Sequence, residues 1–99
     1  MTYDQQEKLQ KILKHYGVDN QINKLIEEIK ELLDACEDVK RAGGSLFGLV
    51  DEIADVEVML WQIKHAFHLS LDVEARKEYK INSQIGRIEN GSRTAEPKN

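Results

Sequence analysis

The chain has 99 residues, with 14 Lys and Arg against 18 Asp and Glu, which gives a formal net charge of −4. This length suits one domain, which we place at residues 1–90, and its small core would benefit from a partner subunit. The acidic balance argues against a nucleic acid polymer as partner, and no apolar run is long enough to span a membrane.

Apolar side chains recur at helical spacing in four segments, and no segment alternates in the manner of a strand. The sequence therefore predicts an all-α fold, a small helical bundle. The predicted helices cover residues 3–15, 20–41, 46–67 and 73–89. The polar tail, residues 91–99, is expected to be disordered.

The first predicted helix ends at Gly17, where the helical pattern breaks. The second carries apolar residues in a 3-4 repeat over five turns, and this stripe centres near Ile29 and Cys36. We therefore expect Cys36 to be a small buried hydrophobe. A glycine-containing break at residues 41–45 ends this helix and separates it from the third.

The third predicted helix has an apolar arc centred near Leu49, Leu60 and Phe67. This arc is wider than one packing partner requires, so the helix is either central to the bundle or also contacts a second chain. The fourth predicted helix has few apolar positions among many charges. The N-terminus lacks a signal-peptide core and the one cysteine cannot form an internal disulfide, which favours a cytoplasmic location.

Two acidic strings, EEIKE and EIAD, lie inside the second and third predicted helices. In each string, two acids three positions apart project from the same face of the helix. These four acids, which we call the acidic cluster, are Glu28, Glu31, Glu52 and Asp55. If the two helices pack antiparallel through their apolar stripes, both pairs converge at one edge of the interface, whereas Glu27 projects away from it.

Four carboxylates at close range repel one another, by about 4 kcal/mol for each pair ~4 Å apart at an effective dielectric constant near 20. Such a cluster needs protonation or a cation, and its all-oxygen ligands favour Mg²⁺ or Mn²⁺ over zinc. A di-iron site is disfavoured because neither string contains Glu-x-x-His. The alternative is an ordinary solvated face on which Lys24 pairs with the acids. Spacing alone leaves both interpretations open.

The pattern E-E-x-x-E, 20 residues and then E-x-x-D resembles that of the MazG-like all-α nucleoside triphosphate pyrophosphohydrolases, in their short phage and Gram-positive form. The resemblance covers about residues 21–64, with a weaker echo in EYKINSQIGRIENG. It implies hydrolysis of an NTP or dNTP to the monophosphate and pyrophosphate, in nucleotide-pool cleansing or control. It also implies Mg²⁺ as cofactor, Mn²⁺ as substitute, and assembly as a homodimer or tetramer.

The same resemblance implies that the four acids of the cluster are the metal ligands and that Glu27 or Glu31 acts on the attacking water. It suggests phosphate contacts on the last helix, from Lys80, Asn82 and Arg87. Lys24 either touches phosphate or neutralises the acidic face. Trp61 either borders a base pocket or packs in the core or a subunit interface.

Two other functions stay open at this point. One is a non-catalytic helical regulatory module that dimerises through the third predicted helix. The other is a related hydrolase acting on a phosphoribosyl nucleotide, which would share the helical fold. The motif does not name the base or the sugar of the substrate, the number of ions, or the choice between dimer and tetramer.

Overall fold

The computed structural model describes residues 1–91, which form four α-helices and no strand. The helices are α1 (Tyr3–Tyr16), α2 (Val18–Lys40), α3 (Leu46–Ala66) and α4 (Ser70–Glu89). The prediction of an all-α helical bundle is confirmed. The predicted tail lies outside the described residues, apart from Gly91, which belongs to a turn. None of the four helices is long and apolar enough to cross a membrane.

Local chemistry explains where the first two helices begin. At α1, Thr2 and Gln5 form a capping box, in which the Thr2 hydroxyl accepts from the Gln5 backbone N–H at 3.1 Å and Gln5 Oε1 accepts from the Thr2 N–H at 3.0 Å. Gly17 alone separates α1 from α2, with φ at +87°, a backbone conformation that glycine adopts without strain. The sequence prediction started α2 at residue 20, whereas the chain re-enters a helix directly after Gly17.

The turn between α2 and α3 is tight and depends on Gly44. A Cβ at this position would collide with the backbone of Asp38, so no other residue fits without a shift of the chain. The Asp38 carboxylate accepts a hydrogen bond from the Ser45 N–H at 3.2 Å, and Ser45 Oγ in turn accepts from the Phe47 N–H at 3.2 Å. These contacts stop α2 and cap the start of α3.

The chain divides into two compact units. The first, Met1–Phe67, contains α1, α2 and α3, with its main interface between α2 and α3 and with α1 packed on both. The second begins at His68 and contains α4, whose surface carries an ion pair between Lys77 and Glu74 at 3.0 Å. The acidic strings lie entirely within the first unit.

The helix α2 faces α3 with its more polar side. The sequence analysis wrongly predicted that its apolar stripe would face α3. Its buried residues are Gln21 and Glu28, while Ile29 is 48% exposed and Cys36 is exposed as well. On α3 the buried residues are Val56, Met59 and Gln62. Leu60 and Phe67, which the sequence analysis placed at the centre of the apolar arc of this helix, are exposed.

This prediction was wrong because it assumed that the most apolar side of each helix would meet its neighbour within the chain. Instead α2 presents that side outward as a run of exposed residues at 3-4 spacing, which we call the α2 stripe. The stripe consists of Ile26, Ile29, Leu33 and Cys36. The buried apolar core is correspondingly small. It contains Leu9, Leu13, Val56 and Met59.

A buried pair of amides joins α2 to α3. Gln21 Nε2 donates to Gln62 Oε1 at 2.8 Å, and Gln62 is only 1% exposed. Gln62 Nε2 donates in turn to the Val58 carbonyl oxygen at 3.3 Å, within its own helix. The sequence analysis did not single out this pair, because two glutamines 41 positions apart carry no local signal.

Replacing Gln62 by Met should destabilise the protein, because the buried Gln21 amide then loses its acceptor. We expect the free energy of unfolding to fall by about 1–3 kcal/mol. The double variant Gln21→Met/Gln62→Met should lose less than Gln62→Met does, because neither polar group remains unpaired. Urea unfolding at one fixed protein concentration measures both effects.

The exposed residue Gln10 provides the matched control, since Gln10→Met makes the same chemical change on the surface of α1. Its effect should stay within about 0.5 kcal/mol of zero. Equal losses for Gln62→Met and Gln10→Met would show that the buried amide pair contributes nothing.

Candidate metal centre

The four carboxylates of the acidic cluster converge in the structure. One ligand oxygen from each of the four residues lies within 4.8 Å of the others. The helices α2 and α3 run antiparallel. Gln21, near the start of α2, contacts Gln62, near the end of α3, whereas the acids further along α2 meet acids nearer the start of α3. Glu28 and Glu31 on one helix therefore meet Asp55 and Glu52 on the other. The four acids converge as expected, although the apolar stripe of α2, through which the prediction packed the two helices, is exposed.

Two members of the cluster are more enclosed than surface acids are. Glu28 is 5% exposed and Glu52 is half-buried. Within residues 1–91, the Oε2 atoms of both side chains are buried and have no hydrogen-bond partner. A buried carboxylate oxygen without a partner costs free energy, so each of these atoms is fitted to receive a ligand. Glu31 and Asp55 are exposed and leave the cluster open on one side.

The donor set fits a hard divalent cation. Carboxylate oxygens are the ligands that Mg²⁺ and Mn²⁺ prefer, and a cation placed among them would pair the two orphaned Oε2 atoms. It would also offset the repulsion between like charges. An ordinary solvated face explains neither the burial of Glu28 nor its unpaired oxygen. The solvated-face interpretation therefore accounts for Glu31 and Asp55 better than for Glu28 and Glu52.

The electrostatic strain of the cluster is visible at Glu52. Burial raises the pKa of the Glu52 carboxyl above its usual range, and the negative charges of Glu31 and Asp55 raise it further. The more distant charge of Glu28 acts in the same direction. Without a cation, burial and the neighbouring charges thus disfavour the ionised form of Glu52.

Lys24 provides a positive charge from within the chain. Its Nζ lies 3.2 Å from Glu28 Oε1 and 3.5 Å from Glu27 Oε2. The hydrogen bond to Glu28 and the charges of Glu28 and Glu27 raise the pKa of Lys24, so it stays charged. This contact confirms the predicted pairing of Lys24 with an acid of the cluster. Lys24 touches one Glu28 oxygen and leaves the other, Oε2, unpaired.

The remaining predicted site residues lie in different places. Glu27 is exposed, pairs with Lys24 and is not one of the four converging acids. Trp61 is half-buried on α3, with its ring stacked on that of His65 at a centroid distance of 4.9 Å. The positions of Glu27 and Trp61 leave open whether these side chains act on a substrate.

Three predicted phosphate contacts lie on α4, in the second unit. They are Lys80, Asn82 and Arg87. Lys80 and Arg87 are half-buried, and Arg87 donates from Nη1 to Ser83 Oγ at 3.4 Å. Asn82 is exposed and donates to Glu78 Oε1 at 3.3 Å. Their contact with a substrate stays a prediction.

The raised pKa of Glu52 makes the stability of the metal-free protein depend on pH. The folded state holds the Glu52 proton more tightly than the unfolded chain does, so this group favours folding most when it is protonated. The free energy of unfolding should therefore fall as the pH rises from about 4.3, the ordinary glutamate value, through the raised pKa. Glu52→Gln should flatten this part of the profile, as measured by urea unfolding with a chelator present.

Glu57→Gln is the matched control, because Glu57 is an exposed acid on the same helix. It should leave the pH profile of the wild type unchanged. Identical slopes for wild type and Glu52→Gln over this window would contradict the assignment of the strain to Glu52.

No family model, curated protein or solved structure matches the chain. Its function is therefore inferred from the residues of the cluster and from the motif that they form.

Proposed function

We propose that the chain is a Mg²⁺-dependent nucleoside triphosphate pyrophosphohydrolase of the MazG-like type, with Mn²⁺ as a possible substitute. It would cleave an NTP or dNTP to the monophosphate and pyrophosphate. The observation that carries this proposal is the convergence of four carboxylates within 4.8 Å, with an unpaired buried oxygen on Glu28 and another on Glu52. The order and spacing of the acids, which resemble those of the family, give the reaction.

The charge of the site explains why such an enzyme needs a metal. A triphosphate is strongly anionic, and a cluster of bare carboxylates would repel it. The ligands proposed for the cation are the four acids of the cluster, Glu28, Glu31, Glu52 and Asp55. When bound, Mg²⁺ supplies attraction for the phosphate oxygens and polarises the reacting phosphoryl group.

The chain's own part in the reaction is to position water and accept its proton. Water attacks the α-phosphorus, the bond to the bridging oxygen breaks, and its electron pair leaves with pyrophosphate. Glu31 is exposed at the open side of the cluster and is therefore one candidate for the base. Glu27 is the other candidate. Lys24 contacts the carboxylates of both Glu27 and Glu28, which keeps the Glu27 side chain near the cluster.

Cationic side chains and one amide side chain of the chain would contact the phosphates that the metal does not neutralise. Lys24 is the proposed contact from the first unit, because it already touches Glu28. Lys80, Asn82 and Arg87 remain the proposed contacts from α4. Arg and Lys suit this role since they present several N–H donors to phosphate oxygens.

Two substitutions that keep the shape of the ligands test the enzyme proposal. Glu28→Gln and Asp55→Asn should each lower pyrophosphate release by about 100-fold or more, because a direct ligand loses at least as much as an outer-shell partner does. The assay is a panel of canonical and damaged NTPs and dNTPs with Mg²⁺, in which monophosphate and pyrophosphate are detected. Glu57→Gln is again the control and should keep full activity.

A measurement without substrate separates an enzyme from a regulatory module. Mg²⁺ or Mn²⁺ should raise the melting temperature of the wild type, and Glu28→Gln should weaken this gain, because only the folded state holds the site. A wild type that neither gains stability with either ion nor cleaves any nucleotide would leave the non-catalytic helical module as the better assignment.

We also propose that the protein is a homo-oligomer, a dimer or tetramer, in which the α2 stripe is covered. Ile26, Ile29 and Leu33 are 47%, 48% and 57% exposed, and they form one continuous apolar side of the helix. Aligned apolar side chains of this extent are typical of a surface that another subunit covers. The small buried core of the chain points the same way.

A charge placed on the stripe should break this assembly. Leu33→Lys should shift the sedimentation mass from that of two or four chains toward that of one, because a lysine in a desolvated apolar interface is costly. Asn23→Lys adds the same charge at an exposed polar position of α2 and should leave the mass unchanged. A wild type that sediments as a single chain would refute the oligomer outright.

A further inference from the structure

A cleft of about 490 Å³ opens between α1, α2 and α3, inside the first unit. Its walls are mostly apolar, with contributions from Ile12, Val58 and Met59. Polar groups enter it from Asn20 and from the buried amide Gln21. A mostly apolar cleft of this size with a few polar groups is the usual form of a small-molecule site.

The cleft adjoins the acidic cluster. Lys24 lines the cleft and also contacts Glu28, so the two features share a residue. Gln21 lies seven residues before Glu28 on the same side of α2, which is about 10 Å along the helix axis. A ligand with a flat ring in the cleft could therefore place an anionic tail at the cluster.

The buried amide pair determines whether Gln21 offers a donor or an acceptor to a ligand in the cleft. The Val58 carbonyl oxygen can only accept, so the Gln62 amide must present its Nε2 there and its Oε1 to Gln21. Gln21 must then donate from Nε2, and its own Oε1 is left available as an acceptor. None of the hydrogen bonds within residues 1–91 uses this oxygen, and it is not among the enclosed unpaired atoms. The orientation of both amides thus follows from one backbone carbonyl.

The outcome is a hydrogen-bond acceptor, fixed in place, on a residue that lines an apolar cleft. Such a group favours a flat ligand that carries an N–H at its edge. Every nucleobase has one, either on an exocyclic amino group or on an imide or ring nitrogen. Tyr16, at the border of the cleft and 56% exposed, offers an aromatic surface to a planar ring.

We propose that this cleft holds the base of the nucleotide substrate and that Gln21 Oε1 accepts an N–H from the edge of that base. Gln62 acts as a positioning residue, because it holds the Gln21 amide in the required orientation. The inference rests on the proposed function, which supplies the triphosphate at the cluster. It adds the part of the molecule that distinguishes a nucleotide from a bare polyphosphate.

The test compares a nucleotide with a probe that has no base. The best nucleotide of the substrate panel is assayed with Mg²⁺, and inorganic tripolyphosphate is measured as a competitive inhibitor. In Gln21→Met/Gln62→Met the KM for the nucleotide should rise about 10-fold or more, since a buried hydrogen bond to the base is lost. The inhibition constant of tripolyphosphate should stay within about twofold of the wild type, because the cluster is untouched.

Tyr16→Ala provides a second variant at an exposed position, in case the amide variant folds poorly. It should show the same selective rise in KM, at a smaller factor. Gln10→Met is the control and should change neither constant. Melting curves by circular dichroism show whether each variant is folded.

The outcomes separate this inference from the proposed function. If the wild type cleaves nucleotides but both variants keep its KM, the cleft does not hold the base and the enzyme assignment stands. If both constants rise together in folded variants, the amide pair supports the cluster and the base lies elsewhere. If the wild type cleaves no nucleotide, the proposed function fails and this inference fails with it.

Discussion

The mutual repulsion of four carboxylates is the constraint on which the first unit of this chain depends. Glu28 and Glu52 bring unpaired oxygens into the interface of α2 with α3, where apolar side chains would pack at no such cost. The raised pKa of Glu52 is the direct sign of that cost. A cation among the acids changes the balance, since it converts repulsion between neighbours into shared attraction.

The rest of the interface is arranged around this polar strip. The Gln21 to Gln62 hydrogen bond lies two helical turns from Glu28 and fixes the register of the two helices. A shift of one turn along the interface would separate the amides and carry the acids of α3 away from those of α2. The amide pair is thus a specific contact in a region where apolar packing alone would permit several registers.

The sequence was sufficient to predict the four helices, the spacing that groups the acids and the contact of Lys24 with Glu28. These features follow from local periodicity, which depends only on residues that are close together in the sequence. The burial of Glu28 and the exposure of Ile29 and Cys36 were not predictable in the same way. They depend on which side of α2 meets α3, and the most apolar side was the wrong guide. The amide pair and the cleft were missed because both join residues that are distant in the chain.

The single-residue link at Gly17 has a consequence for how the first unit tolerates change. Because α1 ends and α2 begins on either side of this glycine, the direction of α1 is set by one pair of backbone angles. One residue inserted at this junction and incorporated into α2 as an extra helical residue would rotate α1 by about 100° about the axis of α2. Leu9 and Leu13 would then leave the core. The turn at 41–45 joins its helices through several residues, so chain length is fixed more strictly at this N-terminal junction than at that turn.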